Sequence, residues 1–164
     1  MTFTGTAFVF GDDVNTDVIT PGRFFDADID MNGFAKNVMA DIRPGFYDEI
    51  EPGDFIVAGK NFGCGSSRES APAAIKAAGI KVVLAKSFSR IFFRTSVSIG
   101  LIVLECDTTE IEEGERLEID PEKGTITRPN GVVIHCAHMS PAMLEVMLDG
   151  GMAENFKKYG TYKL

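Results

Sequence analysis

Asp54-Phe55-Ile56-Val57-Ala58-Gly59, followed after one lysine by Asn61-Phe62-Gly63-Cys64-Gly65-Ser66-Ser67-Arg68-Glu69-Ser70-Ala71-Pro72, joins a short apolar run to a glycine-rich turn and a helix start. Phe55-Ile56-Val57 reads as a buried strand, and the alanine-rich segment from Ala71 to Ala78 reads as a helix ended by Gly79. The pattern then repeats. Val82 to Ala85 is a second apolar strand, and Ser87 to Ser98 carries Ile91, Phe92 and Thr95 at helical spacing up to Gly100. Leu101 to Leu104 is a third strand. Continuous apolar strands separated by helices predict right-handed β-α-β units in a parallel sheet covered on both faces.

Upstream, Thr6 to Phe10 reads as a strand that runs into the polar segment Asp12-Asp13-Val14-Asn15-Thr16-Asp17 and a turn at Ile19-Thr20-Pro21-Gly22. Asn32 is placed to cap a short helix from Gly33 to Met39. Downstream of Asp107, Glu115 to Ile119, Thr125 to Arg128 and Val132 to His135 read as short strands joined by tight turns. Helical patterns from Pro141 to Leu148 and from Met152 to Lys158 close the chain, split by Gly150-Gly151. The expected fold class is α/β: one domain over residues 1–164, with parallel β-α-β units and an appended set of short strands.

A chain of 164 residues buries a real core, and its 45 % hydrophobic and 24 % charged residues are those of an ordinary globular protein. The net charge of −8, without any Lys/Arg cluster, argues against a nucleic-acid partner. No apolar run approaches the roughly 18 residues that span a bilayer. Met1 to Thr6 lacks the marks of a secretory leader, so the expected location is cytoplasmic, with no membrane partner. Cys64, Cys106 and Cys136 are odd in number and widely spaced, which speaks against a disulfide framework, and no C-x-x-C spacing supports an iron–sulfur cluster on this chain. Cys106 and Cys136 read as small core residues. Glu110, Glu112, Glu113 and Glu115 read as a solvated face.

The turn from Gly63 to Arg68 carries the chemistry. It lacks the Gly-Lys-Ser/Thr ending of a P-loop, and Arg68 stands where a dinucleotide fingerprint needs its third glycine. Backbone N–H groups at a helix start form a ready anion site, here beside two hydroxyls and a planar guanidinium suited to a carboxylate. A serine becomes a base when such groups stabilise its alkoxide. The competing reading is a loop that only caps a helix. Neither His135 nor His138 sits in a recognisable triad context.

Gly63-Cys64-Gly65-Ser66-Ser67-Arg68-Glu69, taken with Gly11-Asp12-Asp13-Val14-Asn15-Thr16-Asp17, closely resembles the 3-isopropylmalate dehydratase small-subunit family. That subunit is equivalent to the swivelling fourth domain of aconitase, and the resemblance covers nearly the whole chain. It implies a three-layer β/β/α swivelling domain and a place in leucine biosynthesis. It further implies a large partner subunit that holds a [4Fe–4S] cluster through its own cysteines, none being bound by this chain. Under this resemblance Ser66 is the base that removes a proton next to a carboxylate. Ser67, Arg68 and Gly65 bind the substrate carboxylate, and Arg68 also stabilises the serine oxyanion. Asp17, Cys64 and Glu69 lie just behind those groups, with Cys64 a candidate reactive thiol.

Two departures stand out. Ser70 follows Glu69 where the family often has histidine. In the loop after Pro21-Gly22, Asp26 aligns with the arginine by which aconitase-like members hold an extra carboxylate. An aspartate there repels a third carboxylate, whereas Phe24 and Phe25 suit a branched alkyl group, or else are plain core residues. Arg23 meets a carboxylate only if the loop is shifted. Asp12, Asp13 and Asp17 read as turn and cap residues or as metal ligands.

The expected substrate is therefore a small hydroxy-dicarboxylate with an apolar branch, isomerised by dehydration and rehydration only when the large subunit is present. Sister enzymes acting on dimethylmalate, citramalate or homoaconitate-like acids, and a non-catalytic anion-binding module, are the alternatives. The exposed active-site face makes a homo-oligomer of the isolated chain an expectation as well.

Overall fold

The computed structural model describes residues 1–25 and 29–161. Seven strands form one mixed sheet: β1 (Phe3–Val9), β2 (Phe55–Ala58), β3 (Val82–Ala85), β4 (Ile102–Glu105), β5 (Arg116–Asp120), β6 (Thr125–Thr127) and β7 (Val133–His135), in the order β4-β3-β2-β1-β5-β6-β7. β1 to β4 are parallel neighbours, and β1, β5, β6 and β7 are antiparallel. β1 serves both halves. Its residues Ala7 to Val9 pair with Phe55 to Val57, while Phe3 to Thr6 pair with Arg116 to Ile119. It therefore starts earlier than Thr6, because the added residues belong to the antiparallel half.

The helices are α1 (Thr16–Ile19), α2 (Met31–Lys36), α3 (Phe46–Glu49), α4 (Ser70–Ala77), α5 (Arg90–Ile99), α6 (Pro141–Leu148) and α7 (Met152–Tyr159), with a 3₁₀ turn at Gly22–Phe24. The parallel strands are laid down in one direction, so right-handed crossovers place their helices on one face. There α2 packs on α4, α4 on α5, and α5 on α6 and α7. The other face is covered by the antiparallel half. Beyond β7, the Ala137 N–H donates to the Glu105 carbonyl at 2.7 Å, which returns that end to β4. Every residue of β2 and β3 is consequently buried, and the layering is β/β/α as expected.

Several boundaries moved for local reasons. Asp30, not Asn32, caps α2: its extended backbone lets the carboxylate accept the Gly33 N–H at 2.9 Å, while Asn32 lies inside the first turn. α5 begins at Arg90 because Ser89 accepts the Phe92 N–H, and Ser87 is used instead by the Asn61 N–H. α1 and α3 are single turns of four residues, too short to show a periodicity. No helix among the described residues is long and apolar enough to cross a membrane.

The glutamate run is not simply a solvated face. Glu113 pairs with Arg43 at 2.7 Å and accepts the Val9 N–H, and Arg43 also holds Glu49 while lying over the Phe8 and Phe46 rings. Glu115 meets Arg128 in a two-pronged pair at 2.6 and 3.1 Å, with both side chains largely covered. The Arg128 hydrogen bond holds the Glu115 carboxyl below its ordinary range. A depressed folded value stabilises the protein above the unfolded carboxyl range, and that contribution fades as pH falls through the folded value. Glu115→Gln is therefore expected to lower the urea midpoint at pH 7, with the gap from wild type narrowing by pH 3. A gap that is constant across that range would remove the charge from the explanation.

Candidate active site

The site lies at the carboxyl ends of β1, β2 and β3, where open parallel sheets leave their loops to meet a ligand. Two isolated bridges stitch the three loops together, Asn15 with Cys64 and Phe62 with Phe88. The Gly63 N–H donates to the Val14 carbonyl at 2.7 Å, and the Thr16 N–H to the Cys64 carbonyl at 2.9 Å. Gly63 has φ +77°, and a Cβ on it would lie 2.2 Å from Cγ of Phe92, so the aromatic ring occupies the space of any side chain there. Phe92 packs in turn on Phe62 and Phe88, which makes the floor of the turn an aromatic cluster.

On this floor the chain turns outward. Gly65, Ser66 and Ser67 are exposed and Arg68 is half-buried. The backbone N–H groups from Gly65 to Glu69 have no hydrogen-bond partner among the described residues, which leaves them available to a ligand. Thr16 Oγ1 donates to the Ser66 carbonyl at 2.7 Å and thereby orients the peptide that carries the serine.

Arg68 is held on three sides. It donates to the Thr20 carbonyl at 2.9 Å, pairs with Asp17 at 2.8 Å, and stacks its guanidinium over the Phe25 ring at 4.8 Å. The loop after Pro21 passes close beneath it, since a Cβ on Gly22 would sit 3.9 Å from both terminal nitrogens. Asp17 and Phe25 thus join the site. Phe24 does not: it lies under Arg23, whose guanidinium is 4.4 Å from its ring and pairs with Asp41. Arg23 is accordingly turned to another carboxylate in this loop arrangement. Asp26 lies outside the described residues.

Asp12 accepts the Lys60 N–H at 2.7 Å, and Asp13 accepts from the Asn61 side chain at 2.9 Å, which are turn-fastening roles. Burial, and then the negative charge of Asp13, push the Cys64 thiol up and disfavour the thiolate. Glu69 is the exposed residue that precedes α4 and makes no capping bond with its side chain. Ser70, in the place of the family's histidine, opens α4 with its hydroxyl 3.4 Å from that of Thr20.

A cavity of about 320 Å³ opens beside the turn, lined by Ser66, Arg68 and Thr16 and closed by residues from the start of α5. The α5 side was missed from the sequence, as was Thr16. Its signal was present: a loop after a parallel strand, Ser87-Phe88-Ser89-Arg90, falls on the same edge as the turn after β2. Ser89 fastens the two, its Oγ donating to the Gly63 carbonyl at 2.8 Å. A larger cavity of about 730 Å³ lies elsewhere, between the β5–β6 turn and α6, and holds none of the site residues.

Comparison with known proteins agrees with this arrangement. Residues 19–109 match the family described as the aconitase C-terminal domain. The chain is 47 % identical over its whole length, and over the whole of the relative, to 3-isopropylmalate dehydratase small subunit 2 of Archaeoglobus fulgidus. It is 44 % identical to the 3-isopropylmalate dehydratase small subunit of Halothermothrix orenii, covering 96 % of each chain. A crystal structure of 3-isopropylmalate dehydratase from Methanocaldococcus jannaschii superposes with a TM-score of 0.91 at 43 % identity, covering 98 % of this chain and 96 % of that one. With the swivelling-domain fold, the fastened glycine turn and these relatives all in agreement, the chain belongs to the 3-isopropylmalate dehydratase small-subunit family of the aconitase superfamily, a family of hydro-lyase subunits.

Proposed function

We propose that this chain is the small subunit of a two-chain hydro-lyase that interconverts 2-isopropylmalate and 3-isopropylmalate by dehydration and rehydration, in leucine biosynthesis. The observation that carries the reading is that Ser66 and Arg68 line one cavity, in a turn whose backbone N–H groups are unpartnered among the described residues. Names borne by relatives that match along the full chain support the choice of substrate and of a large partner.

In this reading Ser66 is the base. It takes the proton from the carbon beside a substrate carboxylate, the C–H electron pair becomes the C=C bond, and the hydroxyl departs from the neighbouring carbon. Rehydration reverses these changes with hydroxyl and proton on exchanged carbons. The bound Thr16 hydroxyl keeps the Ser66 peptide oriented between the two halves. The N–H groups and Arg68 stabilise the serine oxyanion, and Arg68, with Ser67 and Gly65, receives a carboxylate. Phe25 presents an exposed ring at the same spot and offers apolar surface for the branch.

The [4Fe–4S] cluster that the family implies is assigned to the large partner. Among the described residues no three His, Cys, Asp or Glu side chains converge as a ligand set. When bound on the partner, the cluster supplies a Lewis acid for the substrate hydroxyl.

Reconstitution tests the reading. The chain alone is expected to be inactive, and the chain with its large subunit is expected to turn over 2-isopropylmalate in preference to tricarboxylates in a panel of hydroxy acids. Turnover by the chain alone, or a preference of the pair for citrate or homoaconitate, would overturn it.

A further inference from the structure

The cavity beside the turn carries a second cation. Ser66 and Arg68 line it from the turn, and Arg90, Ile91 and Thr95 line it from α5. The two arginines are in opposite states. Arg68 already has Asp17 at 2.8 Å and the Thr20 carbonyl at 2.9 Å, so its charge is balanced before any ligand arrives. Arg90 is exposed and has no hydrogen bond or ion pair among the described residues.

The position of Arg90 is nevertheless well defined. It is the first residue of α5, directly after Ser89. The Ser89 hydroxyl donates to the Gly63 carbonyl at 2.8 Å and accepts the Phe92 N–H, and the Ser89 N–H donates to the Phe62 carbonyl. The start of α5 is therefore fastened to the same turn that presents Ser66. The neighbouring Ile91 is 54 % exposed, a large apolar side chain that lines the same cavity with Phe92.

We propose, resting on the reading of this chain as a hydro-lyase small subunit, that Arg90 binds the second carboxylate of the substrate, with Ile91 beside it against the apolar branch. The Arg68–Asp17 pair offers a fork but little net charge, whereas a dicarboxylate brings two negative charges. Arg90 supplies the uncompensated charge and a second planar fork on the same cavity. Recognition of the dicarboxylate is then shared between α5 and the loop after Pro21, and does not reside in that loop alone.

The test uses the chain reconstituted with its large subunit. Arg90→Gln is expected to raise KM for 2-isopropylmalate about 10- to 100-fold, the range expected for loss of a hydrogen bond to a charged group, with kcat changed less than about threefold. Arg90→Lys recovers part of the loss, because it keeps the charge without the fork. Arg94, on the same helix and also exposed, does not line the cavity, so Arg94→Gln keeps the wild-type KM.

Direct calorimetric binding of isopropylsuccinate, which lacks the reacting hydroxyl, gives a second readout that needs no turnover. Its affinity falls by the same factor in Arg90→Gln. An unchanged KM and unchanged affinity in Arg90→Gln, an equal effect of Arg94→Gln, or a loss confined to kcat would each overturn the assignment. So would failure of the wild-type pair to bind isopropylsuccinate at all. Failure of the functional reading looks different: the wild-type pair then binds the dicarboxylate, in an Arg90-dependent way, without turning over 2-isopropylmalate.

Discussion

Ser66→Ala is expected to lower kcat of the reconstituted pair by about 10³-fold while KM changes by less than about threefold, in keeping with the usual worth of a positioned acid–base group. The asymmetry follows from the geometry. The carboxylate contacts proposed for this chain belong to Ser67, Arg68, Arg90 and the backbone N–H groups, none of which depends on the Ser66 hydroxyl. The hydroxyl is exposed, and its peptide is held through the Ser66 carbonyl by Thr16, so removing Oγ leaves the cradle in place. Steady-state kinetics with 2-isopropylmalate, beside a urea titration of each variant, separates lost chemistry from lost folding. A kcat within threefold of wild type would remove Ser66 from the role of base. Equal losses in kcat and in folded fraction would make it a structural residue.

Gly63→Ala is expected to destabilise the chain by roughly 3 kcal/mol, combining left-handed backbone strain with overpacking. The added methyl would start 2.2 Å from the Phe92 ring, and that ring is locked against Phe62 and Phe88. Neither side yields easily: one is backbone held by the Val14 carbonyl, the other a buried aromatic cluster. The urea midpoint should fall by about 1–2 M. Gly65→Ala is the control. It shares a positive φ of +90°, but its Cβ would meet Asn15 at 3.4 Å, so strain alone acts and the expected loss is about 1 kcal/mol. Because displacing the turn also moves Ser66 against the cavity, the folded fraction of Gly63→Ala should turn over about 10²-fold more slowly. Equal stability losses in the two variants would show that the aromatic floor does not constrain the turn.

The parallel half of the fold was legible because its strands are continuous apolar runs and its helices carry clear stops. β3 falls on the expected residues, and α6 does too. The exposed turn itself was legible because two glycines, two serines and an arginine within six residues follow an apolar strand and precede a helix. The dual role of β1 was not, since pairing one half of a strand to β2 and the other to β5 is decided by partners over 45 residues away. Phe24 and Phe25 show the same limit at the site. Adjacent and chemically identical, they differ only in that one lies under Arg23 and the other under Arg68.

By itself, then, the sequence determined the α/β class, the position of the turn and the residue types able to hold an anion there. These rest on local properties: periodicity, glycine conformations and the chemistry of neighbouring side chains. The tertiary structure decided which charges are already balanced and which are free. Asp17 meets Arg68 across 51 positions of chain, and Arg90 reaches the cavity only because β2 and β3 lie side by side. Whether a guanidinium is paired is a matter of distance through space, and no spacing along the chain encodes it.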